Sequence, residues 1–264
     1  MYTFDYQRPT SAADAKAAIN ADARYLAGGQ SLIQAMKLRL SQSERLVDLG
    51  AIKELKTIKL DGASLVIGAT ATHASVAASV EVKRANPALA ELAAGIGDPM
   101  VRNMGTIGGS IANADPAACY PAGVLGLGAT VHTNQRTIAA DAFFTGLYET
   151  ALQPGELITA VSFPPVQKAA YIKYKQPASR FALIGVCVSV GAGGVRVAVT
   201  GAKGHVFRAT EIEAALTKSF TPEAAKAVKM PTAGINGDMH GSAEYRAAMI
   251  SVMASRAVAA ANAR

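Results

Sequence analysis

The sequence has few of the residues that build metal centres and disulfide frameworks. Its 264 residues include two cysteines, four histidines and no tryptophan. Cys119 and Cys187 exclude a disulfide framework, and they are too few for an iron–sulfur or zinc site made by this chain alone. The histidines are scattered, as is typical of surface and turn positions. We therefore expect no metal site in this chain.

No hydrophobic run is long enough to cross a lipid bilayer. The longest strongly apolar stretch without a charge, Phe181–Val195, contains four glycines and is shorter than the roughly 20 residues that a spanning helix needs. The first residues lack the apolar core of a signal peptide. The sequence predicts a cytoplasmic protein without a transmembrane segment.

Common catalytic signatures are also missing. There is no G-x-G-x-x-G dinucleotide fingerprint, no G-x-x-x-x-G-K-[ST] phosphate loop, no H-E-x-x-H zinc motif and no G-x-S-x-G nucleophile elbow. These absences argue against a Rossmann dehydrogenase, a P-loop nucleotidase, a zinc peptidase and a serine hydrolase.

Apolar residues and positive charge are plentiful. Half of the residues are apolar, which is enough for a hydrophobic core. The net charge of +7 is uneven, because residues 1–164 carry 13 basic and 14 acidic side chains, whereas residues 165–264 carry 13 and 5. A basic C-terminal third is compatible with a solvated face, a nucleic-acid surface or a face that docks acidic subunits.

Short strands and helices in irregular order predict an α+β fold. Helices are predicted at Thr10–Asn20 (with a capping box from Ser11 to Asp14), Gln30–Leu40, Thr72–Val82, Pro87–Gly95 and Ser242–Ala263. Strands are predicted at Tyr25–Ala27, Arg45–Leu49, the Ile58–Ile67 hairpin that turns at Asp61-Gly62, Leu157–Phe163, Ala170–Tyr174, Leu183–Val190 and Val195–Thr200. The segment Gly105–Gly128 predicts a loop with one packed helix, and Pro164-Pro165 predicts a domain boundary.

Two glycine-centred segments are the candidates for a ligand site. Ala27–Ser31 leaves a strand and opens a helix, and Thr106–Ser110 adds two hydroxyl groups around a second glycine pair. Glycines permit a positive φ and a close approach to a ligand, and free N–H groups at a helix start favour an anion. A tight turn explains either segment alone. Together they suggest two amide-rich cradles that close on one extended anion, such as a dinucleotide pyrophosphate.

Longer motifs surround these segments and cover essentially the whole chain. They are L-A-G-G-Q-S-L-I-x-x-M-K-L-R-L at 26–40, L-V-D-L at 46–49, I-G-A-T-x-T-H at 67–73, D-P-x-V-R-N-M-G-T-I-G-G-S-I-A-N-A-D-P at 98–116, P-G-E-L-I-T-A-V at 154–161 and A-E-Y-R-x-x-M at 243–249. In this order they resemble the FAD-binding (medium) subunits of the molybdenum hydroxylase and xanthine dehydrogenase family, which includes the carbon monoxide dehydrogenase medium subunits.

The resemblance implies a vanillyl-alcohol-oxidase (PCMH)-type FAD-binding fold. Two FAD-binding subdomains would span residues 1–55 and 56–165, and a C-terminal domain of the carbon monoxide dehydrogenase flavoprotein type would span 168–264. It implies FAD as the cofactor of this chain, and a dimer of heterotrimers with a large molybdopterin subunit and a small [2Fe–2S] subunit. FAD would pass electrons from the [2Fe–2S] centres to NAD⁺ or a quinone, and no nucleic acid would take part.

The resemblance also assigns site residues by position. The FAD-binding residues it implies are Ala27, Gly28, Gly29, Gln30, Ser31, Leu32, Thr106, Ile107, Gly108, Gly109, Ser110, Asn113, Asp115, Ile158 and Lys173. The glycine segments correspond to pyrophosphate and ribityl contacts, Asn113 and Asp115 to the flavin pocket, and Ile158 to a position near the adenine or ring system. Lys173 corresponds to a lysine close to the flavin; Lys175 fits almost as well, and an exposed strand lysine is the alternative. No side chain is implied as a nucleophile or general base.

One position departs from the family pattern. Position 119 usually carries Asp or Glu, whereas here it is a cysteine, which is a weak donor and acceptor. Either Tyr120 or water replaces the lost hydrogen bond, or FAD binds less tightly. One such bond is worth about 0.5–1.5 kcal/mol, which is too little to abolish binding. We expect Cys119 to be a small packed thiol, and nothing in the sequence supports a redox role.

Two other functions stay open at this stage. One is a stand-alone FAD-dependent oxidoreductase of the same fold, and the other is a non-enzymatic basic module that binds nucleic acid. The near-neutral charge of residues 1–164 and the aromatic content of 6% argue against the second.

Overall fold

The computed structural model describes residues 1–264, which form fourteen strands, eleven α-helices and three short 3-10 helices. The strands are β1 (Asp5–Gln7), β2 (Ala23–Leu26), β3 (Arg45–Asp48), β4 (Ile58–Asp61), β5 (Ser64–Gly68), β6 (Thr130–Thr133), β7 (Thr137–Ala139), β8 (Phe144–Gly146), β9 (Glu149–Thr150), β10 (Ile158–Phe163), β11 (Val166–Lys175), β12 (Ala182–Gly191), β13 (Gly194–Thr200) and β14 (Phe207–Arg208). The α-helices are α1 (Ala12–Ala18), α2 (Leu32–Lys37), α3 (His73–Ala78), α4 (Val80–Ala85), α5 (Pro87–Ala94), α6 (Pro99–Met104), α7 (Ile107–Asn113), α8 (Cys119–Gly126), α9 (Thr210–Lys218), α10 (Pro222–Ala227) and α11 (Ala243–Asn262). The 3-10 helices are Leu49–Ala51, Lys53–Lys56 and Ala140–Ala142.

The first sheet has three parallel strands in the order β1–β3–β2. Ser11 caps α1 by accepting a hydrogen bond from the Asp14 N–H. Ala15 of this helix packs with Val47 and Ile52 in a small core of its own. This layer fixes both ends of the connection from β2 to α2, in which the first glycine segment lies.

The second sheet has five antiparallel strands in the order β4–β5–β10–β6–β7. Helices α3, α4, α5, α7 and α8 and this sheet enclose the largest core, whose fully buried members include Ile67, Ile107, Tyr120 and Phe143. Helix α7, which carries the second glycine segment, packs against the central strand β10.

The third sheet has four antiparallel strands in the order β11–β12–β13–β14. Because successive side chains of a strand point to opposite faces, β11 gives Ala170 to a core shared with α9, α10 and α11, and Tyr171 to the core of the second sheet. Helices α5 and α8 therefore lie between the second and third sheets, and residues of both sheets meet there.

The elements with strong local sequence patterns are confirmed. The predicted cap of α1 at Ser11, the β4–β5 hairpin with Asp61 opposite Ser64, helix α5 and strand β10 are all present. The helix predicted over Ser242–Ala263 is present as α11, and Ser242 is its N-cap. The α+β class is confirmed by these three sheets, a fourth of only two strands (β8–β9), and the helices packed on them.

The segment Thr72–Val82 is helical as predicted, and it is divided between two helices. Ser79 ends α3 and accepts a hydrogen bond from the Val82 N–H as the N-cap of α4. A serine hydroxyl competes for backbone N–H groups in this way, and it favours a helix start over a helix interior.

The prediction of a loop with a single helix over Gly105–Gly128 is wrong, because the segment contains two helices, α7 and α8. Its glycines serve close packing: a Cβ on Gly108 would lie 2.6 Å from the Ala69 Cβ, and one on Gly123 would lie 2.8 Å from Leu92 Cδ1. Helix α2 is shorter than predicted, and α6 and strands β6 to β9 were not predicted.

None of the helices combines the length and the apolar character that a membrane span requires. The Pro164-Pro165 pair lies between β10 of the second sheet and β11 of the third. The division into domains at 55/56 and 165/168 stays a prediction.

Candidate cofactor-binding site

The first glycine segment turns the chain from the end of β2 into α2. Gly29 has a φ of +70°, a conformation that side chains with a Cβ rarely adopt. Gln30 Nε2 donates to the Gly28 carbonyl oxygen at 3.2 Å. Ser31 makes no side-chain cap to α2, so its hydroxyl is available to a ligand.

The backbone N–H groups of this segment have no protein acceptor. None of those from Ala27 to Leu32 donates a hydrogen bond within the protein, whereas the Ile33 N–H donates to the Gly29 carbonyl at 3.1 Å. Residues 27–32 are half-buried or exposed. Six successive unpaired N–H groups at a surface suit an anion with several oxygens, such as a diphosphate.

The second glycine segment differs from the amide cradle that the sequence predicts. It forms the cap and first turn of α7, and each of its four N–H groups after Thr106 has an acceptor in the protein. Ile107 donates to Ala71 O at 3.1 Å, Gly108 to Ala69 O at 2.8 Å, Gly109 to Thr106 Oγ1 at 3.1 Å and Ser110 to Thr106 O at 3.0 Å. The groups left for a ligand are therefore the hydroxyls of Thr106 and Ser110 and the half-buried backbone of Gly109.

The structure brings the two glycine segments into contact. A Cβ on Gly28 would overlap the Met104 carbonyl oxygen and lie 2.7 Å from Gly105 Cα. A Cβ on Gly109 would lie 3.8 Å from the Ala27 Cβ. The absence of a side chain at Gly28 thus lets the first segment pack against the backbone that leads into the second.

Asn113 and Asp115 lie at the far end of α7, roughly 10 Å from Thr106 at a rise of about 1.5 Å per residue. Asp115 Oδ1 accepts from the Ala117 N–H at 2.8 Å, and Oδ2 accepts from the Tyr148 hydroxyl at 3.2 Å. The Asn113 side chain has no hydrogen-bond partner within the protein. The two ends of α7 therefore offer polar groups to the two ends of an extended ligand.

Two of the implied residues point into the protein. Ile107 and Ile158 belong to the largest core and are 0% and 5% exposed. Both support α7 and β10 from inside, so a contact between Ile158 and a ligand stays a prediction.

Lys173 lies on β11 and faces α5 and α8. Its Nζ donates to Gly95 O at 2.8 Å, to Arg180 O at 2.9 Å and to Cys119 Sγ at 3.4 Å. Lys175, the alternative, is exposed at the end of the strand. Lys173 is thus fixed close to the segment that follows α7.

Two arginines that the sequence interpretation missed join Lys173. Arg102 Nη1 donates to Ile96 O at 3.0 Å and to Gly97 O at 3.2 Å, and Arg180 Nη1 donates to Gly97 O at 3.4 Å. None of the three cations has a carboxylate partner. Arg102 stands in the D-P-x-V-R motif, which could have pointed to it, but no pattern marks Arg180.

His73 contacts the residue that precedes the second glycine segment through its backbone, and it packs its ring inside the protein. Its backbone N–H donates to Gly105 O at 2.9 Å, and the centroid of its buried ring lies 5.3 Å from that of the Tyr120 ring. Burial, with a smaller effect of Arg102, lowers the pKa of His73 to about 4. The ring is therefore neutral at neutral pH, and its role here is packing.

The arrangement is suited to binding and not to proton transfer. No group of three or more histidine, cysteine, aspartate or glutamate side chains is placed to bind a metal ion. The free N–H run, the Thr106 and Ser110 hydroxyls and the Asn113 amide offer hydrogen bonds to one long polar ligand with a negative charge.

Comparison with protein families identifies the region that contains this site. Residues 2–166 match the family described as the FAD binding domain in molybdopterin dehydrogenase. The matched range includes both glycine segments, Asn113 and Asp115, and it ends before Lys173.

Individual proteins match over nearly the full length. The chain is 36% identical to the carbon monoxide dehydrogenase medium chain of Hydrogenophaga pseudoflava, covering 99% of this chain and 98% of that one. It is 34% identical to the nicotine 6-hydroxylase medium subunit of Paenarthrobacter nicotinovorans, covering 98% and 97%. Quinoline 2-oxidoreductase from Pseudomonas putida 86 has a chain that matches with a TM-score of 0.89 at 28% identity, covering 98% and 97%.

Proposed function

Since the chain belongs to the family of FAD-binding domains of molybdopterin dehydrogenases, we propose that it relays electrons from the [2Fe–2S] centres of a partner subunit through FAD to an external acceptor, NAD⁺ or a quinone. The chain is the FAD-binding medium subunit of a molybdenum hydroxylase and works as part of a heteromeric oxidoreductase. The expected cofactor and enzyme class are thereby confirmed.

One observation supports the proposal most directly: the segment Ala27–Leu32 has six unpaired N–H groups, and at Ala27 and Gly28 it lies against the residues around the start of α7. These N–H groups fit the diphosphate of FAD, because each can donate one hydrogen bond to a phosphate oxygen without giving up a protein partner. The hydroxyls of Thr106 and Ser110 and the Asn113 amide would bind the sugar and ribityl hydroxyls. FAD itself, when bound, supplies the electron chemistry.

Lys173 is proposed to lie near the flavin ring. Its ammonium group is oriented by two carbonyl oxygens and one sulfur, so its position is determined before any ligand binds. A fixed positive charge near a flavin stabilises the added negative charge of reduction.

The partners follow from the family. We propose a large molybdopterin subunit, a small [2Fe–2S] subunit and a dimer of heterotrimers in the cytoplasm, with this chain divided at 55/56 and 165/168. The three relatives are named for carbon monoxide, nicotine and quinoline. The medium subunit therefore does not identify the compound that the complex oxidises.

The test uses the complex purified after co-expression of its three genes. The complex is reduced chemically, mixed with NAD⁺ or a quinone, and the flavin and iron–sulfur absorbances are followed during reoxidation. We expect one acceptor to reoxidise both groups quickly in the native complex, and the reaction to stop when FAD is removed and to return when FAD is added back.

Two results would contradict the proposal. Acceptor reduction at the native rate without FAD would exclude the relay. Turnover of a substrate by this chain alone, with no partner subunit, would instead favour the stand-alone oxidoreductase.

A further inference from the structure

Cys119 lies beside two groups that carry hydrogen-bond donors, and one of them, Lys173, donates to its sulfur. Lys173 has three ammonium protons. Two are directed to Gly95 O and Arg180 O, and the third is directed to Cys119 Sγ at 3.4 Å. The Cys119 side chain is almost completely buried at the start of α8.

The second donor is Tyr171, which precedes Lys173 by two residues on the same face of β11. Its hydroxyl is buried and has no hydrogen-bond partner in the protein. Burial raises the pKa of Tyr171 well above its usual range, and Cys119 beside it adds to the shift. The phenol therefore keeps its proton, which it can donate to a neighbouring acceptor.

A neutral thiol is a poor acceptor for two such donors. An ammonium and a phenol together satisfy an oxygen-bearing anion much better, because hydrogen bonds to ionised acceptors are roughly twice as strong. Cys119 keeps an exposed fraction of 5%, against 1% for Cys187, so a small oxidant reaches Cys119 more easily. The pocket thus has the groups to bind an oxidised sulfur.

We propose that Cys119 is a site of oxidation by hydrogen peroxide and that Lys173 and Tyr171 bind the oxidised sulfur. In the first step the peroxide O–O bond breaks, one oxygen bonds to Sγ, and the other leaves as water. The sulfur loses two electrons, the peroxide gains two, and the thiol becomes a sulfenic acid. A second peroxide reacts in the same way and gives the sulfinic acid, which releases its proton and is bound as an anion.

Cys187 provides a matched control within the same chain. It is 1% exposed, stands opposite Tyr171 on β12, and packs against Gly126. Burial raises the pKa of Cys187 to about 12, and no lysine or arginine donates a hydrogen bond to it. Buried thiols of this kind are inert.

The experiment treats the purified complex with hydrogen peroxide and follows the two cysteine peptides by mass spectrometry over time. We expect the Cys119 peptide to gain one and then two oxygen atoms while the Cys187 peptide keeps its mass. Lys173→Met should slow the oxidation of Cys119 roughly tenfold, and Lys173→Arg, which keeps the positive charge, should restore most of the rate.

The proposal is overturned if both cysteines are oxidised at the same rate, if Cys187 reacts first, or if Cys119 keeps its mass. If Cys119 were oxidised in Lys173→Met at the native rate, the lysine would have no part in the reaction. The comparison of the two cysteines needs no variant, so it decides the matter even if Lys173→Met fails to assemble. It also needs no electron acceptor, and it is therefore independent of the proposed relay.

Discussion

At the scale of single residues, Gly28 determines whether the two glycine segments can meet. A Cβ at this position would overlap the Met104 carbonyl oxygen, which is backbone and cannot rotate away. We expect Gly28→Ala to separate the segments and to remove FAD from the complex. Strain of this kind costs roughly 1–3 kcal/mol in the free energy of unfolding.

The measurement is the flavin-to-iron ratio of the purified complex, together with urea unfolding of the variant. Gly193→Ala is the matched control, because a Cβ on Gly193 meets no atom within 4 Å and its φ is not positive. A Gly28→Ala complex with full flavin content would show that the close approach at Met104 is not needed for binding.

His73 makes the stability of the chain depend on pH. Its pKa is about 4 in the folded chain and 6.5 in a model peptide. Between these values the unfolded chain binds a proton that the folded chain does not, so the free energy of unfolding falls as the pH falls. Over this pH range His73 lowers the free energy of unfolding by roughly 3 kcal/mol.

This prediction is checked by urea unfolding at several pH values from neutral to 4. His73→Phe should flatten the dependence, whereas His240→Gln, at an exposed bend, should leave it as in the native chain. The hydrogen bond from Arg136 lowers the pKa of Glu156 to about 2. The contribution of Glu156 to the free energy of unfolding is therefore lost only below about pH 4.5. Equal slopes in His73→Phe and the native protein would exclude this role of the histidine.

At the scale of elements, the sequence predicts those whose information is local. The cap at Ser11, the Asp61-Gly62 turn and the cap at Ser242 each lie within four residues of the structure they begin. Helix α7 has a weak local signal because its two glycines, its serine and its asparagine disfavour a helix on their own. It forms because Gly108 docks on Ala69, a contact between distant parts of the chain.

The candidate site shows the same division. The free N–H run at Ala27–Leu32 could be predicted from a glycine pair between a strand and a helix. The carbonyl oxygens of Ala69 and Ala71 accept hydrogen bonds from N–H groups of the second segment. The sequence could not predict these bonds, because neither alanine carries a pattern that marks it as an acceptor. Motif resemblance pointed to both segments and left open which of their backbone groups stay free.

At the scale of the whole molecule, the third sheet contributes Lys173 to the proposed site from outside the matched FAD domain. Residues of α5, α8 and β11 meet between the second and third sheets, where Lys173 contacts Gly95 and Cys119. These positions are up to 78 residues apart, and no periodicity relates them. Only the resemblance suggested that Lys173 belongs to the site, and its partners became visible only in the folded chain.

The charge of the whole molecule gives the last prediction, which concerns assembly. Lys218, Lys226 and Lys229 are exposed on the last turn of α9 and on and after α10, and none forms a salt bridge. If this face docks an acidic subunit, reversing all three to glutamate lowers the net charge from +7 to +1 and should weaken assembly and its dependence on salt. The same reversal at three exposed lysines of the N-terminal half (Lys53, Lys56 and Lys59) changes the charge equally but should leave assembly intact. The measurement is the affinity of each tagged triple variant for the partner subunits at several salt concentrations. An equal loss of affinity in both variants would mean that net charge alone, and not this face, governs association.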